Sequence, residues 1–169
     1  MEKLKLFEKE INYIFKNKNV ANLCLTHKSF DKTNNNEKLE FLGDRVLALM
    51  LSYKIFLLYP KEKEGDLDKR FASLVNKKTC LEIAKNIELD KYILTFNSKK
   101  NKIRIEDKII ADCCEALIGS IYLDKGFNAV EKFILDLWSK QIKKSVITQV
   151  DAKTKLQELT LKKLDRKSV

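Results

Sequence analysis

Proline occurs once in this chain, at Pro60, and glycine four times in 169 residues, at Gly43, Gly65, Gly119 and Gly126. A fold with many tight turns needs those two residues at its corners. Their scarcity argues against a β-rich design and predicts long helices joined by few loops. With 44% hydrophobic residues, the chain can bury one real core. No run approaches the roughly 18 unbroken apolar residues of a membrane span. The opening MEKLKLFEKEINYIF is amphipathic and carries acids, unlike a signal or transit peptide. A cytoplasmic, all-α protein with no membrane partner is the expectation.

Apolar periodicity places the elements. A first helix is predicted over 3–17, with Leu4, Phe7, Ile11, Ile14 and Phe15 on one face, and a short second one over 20–28. A strongly apolar helix over 36–59 is stopped by Pro60. Further helices are expected over 66–86, 105–123 and 127–147, with a short element near 88–93 and a basic loop over 95–104. Cys24, Cys80, Cys113 and Cys114 lie in apolar runs without a CxxC pair, which predicts buried, reduced thiols rather than a disulfide or zinc framework. The net charge of +10 would attract a polyanion, with nucleic acid the first candidate and a Lys-rich compositional bias the alternative.

The 36–59 helix carries its acids unusually. Advancing about 100° per residue puts Leu39, Leu42, Val46, Leu49 and Met50 on one face, the expected core stripe. Glu37, Glu40 and Asp44 gather on an arc nearly opposite, with no Lys at the spacings that would offset their repulsion. Phe41 projects to the flank, and Ala48, Leu51 and Ile55 continue the acid side as apolar residues. A helix apolar all round must be covered all round. A symmetric dimer with Phe41 near its centre would do this, as would another helix of the same chain.

The 105–123 helix repeats the arrangement. Ile110, Cys114, Leu117, Ile118 and Ile121 form its expected core stripe, Asp112 and Glu115 lie together on the other side, and Gly119 leaves space for a chain or ligand. Two helices each offering an acid pair can enclose a divalent cation such as Mg²⁺, which wants hard oxygen ligands. A single histidine, His27, excludes metal sites built on several histidines, and His27 itself reads as a structural residue.

Four stretches in order resemble the ribonuclease III family, and bacterial members in particular: LTHKSF (25–30), NNNEKLEFLGDRVL (34–47), EGDLDKRFASLVN (64–76) and IIADCCEALIGSIYLDKGF (109–127). The resemblance covers roughly residues 20–145. It implies the family's helical endonuclease domain over 1–147, working as a symmetric homodimer that cuts double-stranded RNA with Mg²⁺, Mn²⁺ being able to substitute. Roles in rRNA and mRNA processing follow from the same resemblance, as do products with a 5′ phosphate, a 3′ hydroxyl and a short 3′ overhang. Glu40, Asp44, Asp112 and Glu115 stand at the family's metal-ligand positions. Asp44, Glu115, Glu37 and Glu64 stand at positions that serve catalysis or line its cleft, and Phe41 matches an aromatic that enters the partner subunit. Lys99, Lys100, Lys102 and Arg104 are candidate phosphate contacts.

Two departures stand out within the signature. Lys38 replaces the usual Arg, and Arg45 occupies a place often held by Ser or Ala, where its position beside Phe41 favours an interface or ion-pair role over catalysis. Residues 151–164, DAKTKLQELTLKKL, resemble the opening of a double-stranded RNA-binding domain, so 148–169 read as a linker and first-helix remnant. Those residues are too few for a complete module of that kind, which needs roughly 65–70 residues. RNA binding is therefore expected to be weaker and more salt-sensitive. The competing function is a non-cleaving RNA-binding module on the same fold, and the complete acid set favours the enzyme.

Overall fold

A computed structural model of the chain describes residues 2–96 and 104–145. It divides into two units, Met1–Leu137 and Trp138–Val169. The described part of the second unit is a helix over 139–145. The proposed domain boundary at 147/148, the RNA-binding-domain opening at 151–164, and Lys99, Lys100 and Lys102 lie outside the described residues.

The first unit is all-α: α1 (Glu2–Glu10), α2 (Lys18–Cys24), α3 (Glu37–Leu58), α4 (Glu64–Val75), α5 (Lys77–Asn86), α6 (Asp107–Lys125) and α7 (Phe127–Leu137), with a 3-10 turn at Leu89–Lys91. The only pairing outside helices among the described residues is an isolated parallel bridge between Thr26 and Leu94. None of the described helices is long and apolar enough to cross a membrane.

α6 is the axis of the domain. From Ile110 to Ile121 every residue except Asp112 is buried, and α2, α3, α5 and α7 all pack on it. Its largest interface is with α3. The crossing is tight because Gly43 and Gly119 face each other: a Cβ on Gly43 would overlap the backbone carbonyl of Glu115, and one on Gly119 that of Leu39. The space expected beside Gly119 is thus filled by α3 of the same chain.

This crossing also corrects the face assigned to α3. The buried residues are Leu39, Gly43, Val46, Leu47, Met50, Leu51 and Ile55, while Leu49 is 57% exposed. Leu51 and Ile55 are covered by their own chain rather than left for a partner. The acids Glu40 and Asp44 border the buried face instead of opposing it. Phe41 stays 65% exposed, and Tyr53 and Phe56 are exposed further along the helix.

Four helix ends depart from the sequence expectation. α1 stops at Glu10 because Asn12 takes a left-handed φ of 50° and the buried Glu8 carboxylate accepts the Phe15 amide at 2.8 Å, folding the chain back. Ile11 and Phe15 remain in the core, but Ile14 is 70% exposed. The helix expected over 66–86 is two helices, split at Asn76. Its extended backbone (ψ 156°) ends α4, and its side chain accepts the Thr79 amide at 2.9 Å to cap α5. The helix expected over 127–147 breaks after Leu137. α2, expected over 20–28, instead covers Lys18–Cys24. α3 ends at Leu58, two residues before Pro60, since the residue before a proline is pushed out of the helical region. α6 ends at Gly126, whose φ of 76° suits a residue without a Cβ.

The end of α6 also anchors the N-terminal segment. Asp124 accepts the amides of Lys16 (3.0 Å) and Asn17 (2.7 Å) and the Tyr13 hydroxyl (2.9 Å), while the Lys125 ammonium donates to the Ile14 carbonyl at 2.8 Å. All four cysteines are free and buried. Burial pushes the Cys24 and Cys80 thiols up to about 12, so they behave as apolar packing groups.

Candidate metal centre

The start of α3 is fixed by Asn36, whose amide donates to the Thr26 carbonyl (2.9 Å) and whose buried side chain donates to the Cys24 carbonyl (3.3 Å). From that anchor, Glu40 points across the first turn of α3 toward α6. There Asp112 and Glu115, three residues apart, share one face. Oxygen atoms of Glu40, Asp112 and Glu115 all lie within 4.8 Å of one another. Of the three, Glu115 is the most deeply buried, with a side chain only 4% exposed.

A cation already stands among them. The Lys77 ammonium lies 2.5 Å from Asp112 Oδ1, 2.8 Å from Glu115 Oε2 and 3.5 Å from Glu40 Oε1. Lys77 is the first residue of α5, so the Asn76 cap that separates α4 from α5 also sets where this ammonium arrives. Burial, reinforced by the Asp112 charge, raises the Glu40 carboxyl above the usual carboxylate range. Burial likewise raises Glu115 against the pull of Lys77. Burial alone would lower the Lys77 ammonium, but its hydrogen bonds to Asp112 and Glu115 outweigh that and raise it. Hard oxygens gathered around a positive charge are the donor set a divalent cation requires, so these residues fit one.

The other predicted site residues are not part of this group. Asp44, one turn further along α3, is ion-paired with Arg45, and its charge contributes to raising Glu115. Arg45 in turn lies over the Phe41 ring at 4.9 Å, a cation–π contact. Glu37 pairs with Lys28 at 2.8 Å on an exposed surface. Glu64 opens α4 and is exposed. Arg104, 85% exposed, lies 3.7 Å from Asp107 at the start of α6. His27 accepts the Ser29 amide on Nδ1 at 3.2 Å and shares a 2.8 Å hydrogen bond with the Ser29 hydroxyl, closing the turn after α2. Burial, aided by the Lys28 charge, lowers its pKa. Sequence reasoning missed Lys77. Its one signal, an Asn followed by two lysines after an apolar helix, marks the cap but not the partners, which are 35 and 38 residues away.

Helices crossing at glycines bring carboxylates from two of them around the Lys77 ammonium, giving an all-helical domain with an acidic group that could hold a metal ion. The model for ribonuclease-III-like domains matches residues 17–142. Ribonuclease 3 of Pelagibacter ubique is 66% identical over 155 residues, which span 92% of this chain and 70% of that protein. Ribonuclease 3 of Aliarcobacter butzleri is 43% identical over 156 residues, 90% of this chain and 70% of that protein. Among solved structures, a ribonuclease III nuclease domain from Campylobacter jejuni, described with a region involved in dimer formation, superposes with a TM-score of 0.75. It is 40% identical, over 81% of this chain and 96% of that one. The chain belongs to the ribonuclease III family and is an endoribonuclease.

Proposed function

We propose that this endoribonuclease cuts double-stranded RNA with Mg²⁺, or Mn²⁺ in its place, leaving a 5′ phosphate, a 3′ hydroxyl and a short 3′ overhang. The observation that carries the reading is the convergence of Glu40, Asp112 and Glu115 within 4.8 Å. Glu40, Asp112 and Glu115 would hold the metal directly, with Asp44 beside them. A bound divalent ion supplies Lewis-acid activation of water and neutralises charge developing on the phosphate. The protein's part is to hold its carboxylates at fixed positions on two packed helices and to line the cleft with Glu37 and Glu64. Asp44, Glu115, Glu37 and Glu64 are thus the proposed catalytic set. Duplex RNA would be read by shape, phosphates and 2′-hydroxyls. Arg104, with Lys99, Lys100 and Lys102, would contribute phosphate contacts.

Two chains would associate symmetrically through the exposed side of α3, with Phe41 near the centre. The exposure of Phe41, Tyr53 and Phe56 on one helix supports this. One centre per chain, each cutting one strand, accounts for a staggered product. Cytoplasmic work on RNA precursors and messengers suits a chain whose four thiols are free and buried.

Purified protein incubated with a long RNA duplex should release discrete fragments with Mg²⁺ and none with EDTA. Binding without metal-dependent fragments would instead support a non-cleaving module. Sedimentation should give about twice the 19.7 kDa chain mass, and a monomer at micromolar concentration would refute the dimer.

A further inference from the structure

The geometry points to Lys77 as a built-in placeholder cation, which occupies the acid cluster when no metal is bound and must leave when a divalent ion enters. The inference rests on the metal-site reading above and adds a competitor within the same chain. Its basis is distance. The Lys77 ammonium makes hydrogen bonds of 2.5 Å and 2.8 Å to Asp112 and Glu115, and lies 3.5 Å from Glu40. It thus uses all three grouped carboxylates at once.

A Mg²⁺ ion binding those oxygens sits about 2.0–2.1 Å from each. Such an ion would lie far closer to the ammonium than two like charges tolerate in a poorly solvated site. The two cations therefore exclude one another. Lys77 has somewhere to go, because its side chain is 52% exposed and rises from the first turn of α5. The carboxylates do not, since Glu115 and Asp112 are fixed on the buried α6 and only 4% and 14% exposed.

Two consequences follow. Without metal, the ammonium offsets the repulsion among buried carboxylates, so the domain stays folded with an empty centre. With metal, part of the binding free energy is consumed in expelling Lys77, which weakens affinity and sharpens discrimination. A monovalent ion gains too little to displace it, whereas a divalent one does.

The test needs no RNA. Lys77→Gln removes the charge and leaves a neutral polar side chain one bond shorter. In EDTA its melting temperature should fall below wild type. Titrated with MgCl₂ or MnCl₂ alone, followed by calorimetry or thermal shift, it should bind the ion roughly tenfold or more tightly. Equal or weaker affinity in Lys77→Gln would overturn the placeholder while leaving the metal site intact. No response to either ion in both proteins would overturn the metal site as well.

A second measurement uses wild-type protein, so it does not depend on a variant folding. Amine acylation mapped by mass spectrometry should label Lys77 slowly in EDTA and several-fold faster at saturating Mg²⁺. Unchanged or slower labelling with Mg²⁺ would show that Lys77 stays in place.

Discussion

Replacing Gly43 by Ala should both destabilise the domain and loosen its candidate metal centre. The added Cβ would overlap the Glu115 carbonyl and come within 2.8 Å of the Gly119 amide nitrogen. Both are backbone atoms of a helix buried on every side, so no rotamer change relieves the clash. Restoring ordinary contact requires α3 and α6 to part by roughly 1–2 Å. Overpacking of this kind costs about 1–3 kcal/mol or more. Exchanging Gly for Ala within a helix returns at most about 1 kcal/mol. A net loss of about 2 kcal/mol lowers the melting temperature by roughly 4–8 °C in a chain of this size. The same parting carries Glu40 away from Asp112 and Glu115, so Mn²⁺ affinity should fall in parallel. Gly65→Ala is the control: nothing lies within 4 Å of its Cβ position on α4, and the change should be neutral or mildly stabilising. Urea denaturation in EDTA together with Mn²⁺ titration reads both effects. A Gly43→Ala protein with wild-type stability and metal affinity would refute the proposed role of the glycine crossing.

Other substitutions probe separate parts of the fold. Arg70 is 6% exposed, makes two 2.7 Å bonds to Glu62 and stacks on Tyr59 at 3.6 Å. Arg70→Met should cost about 3 kcal/mol in urea unfolding by leaving Glu62 without that partner, and a change within error would show the pair to be dispensable. Asp124 accepts three hydrogen bonds. Burial alone would raise its pKa, but the Asn17 and Lys16 amides and the Tyr13 hydroxyl outweigh that and hold it below the usual carboxylate value. A depressed folded-state pKa means stability that is present at neutral pH and lost as pH falls below about 4. Asp124→Asn should therefore be less stable than wild type at pH 7, with the gap closing in acid; a gap independent of pH would exclude the carboxylate as its source.

The sequence disclosed the helices whose signals are local. α3 and α6 are long apolar runs with a proline or glycine near their ends, and their existence needed no tertiary information. Where each run faces was less visible. α3 is apolar around much of its circumference, so Leu47 and Leu49 are equivalent until Gly43 and Gly119 decide which side meets α6. α1 is amphipathic through Phe15, yet it ends at Glu10 because the Glu8 carboxylate and the turn at Asn12 redirect the chain. The split at Asn76 was written locally as a cap, but a Lys-rich stretch without glycine reads as a continuous helix. The carboxylates that the structure gathers, Glu40, Asp112 and Glu115, stand out by spacing and resemblance as candidate ligands. Lys77 does not, since only the packing of α5 on α6 brings it to Asp112 and Glu115.

The crossing explains why the acids can lie so close together. Gly43 is three residues after Glu40, and Gly119 is four after Glu115, so each glycine sits one turn from an acid on the same helix face. Closest approach at the glycines draws the neighbouring turns, and their carboxylates, to hydrogen-bonding range of one cation. The acid cluster is therefore set by the largest helix–helix interface among the described residues rather than by a loop. Burial raises the Glu115 carboxyl despite Lys77, which means the folded state holds its charged form at a cost. Glu115→Gln, a neutral group of the same shape, should thus be at least as stable as wild type in EDTA at neutral pH. Its metal-dependent cleavage should nevertheless fall by more than the roughly 10–100-fold expected for losing an outer-shell partner, with RNA binding retained. Urea unfolding and a duplex-cleavage assay on the same preparation separate the two effects. A Glu115→Gln protein that cuts normally would remove Glu115 from the centre, and one that unfolds readily would show that its pairing with Lys77 outweighs the cost of burial.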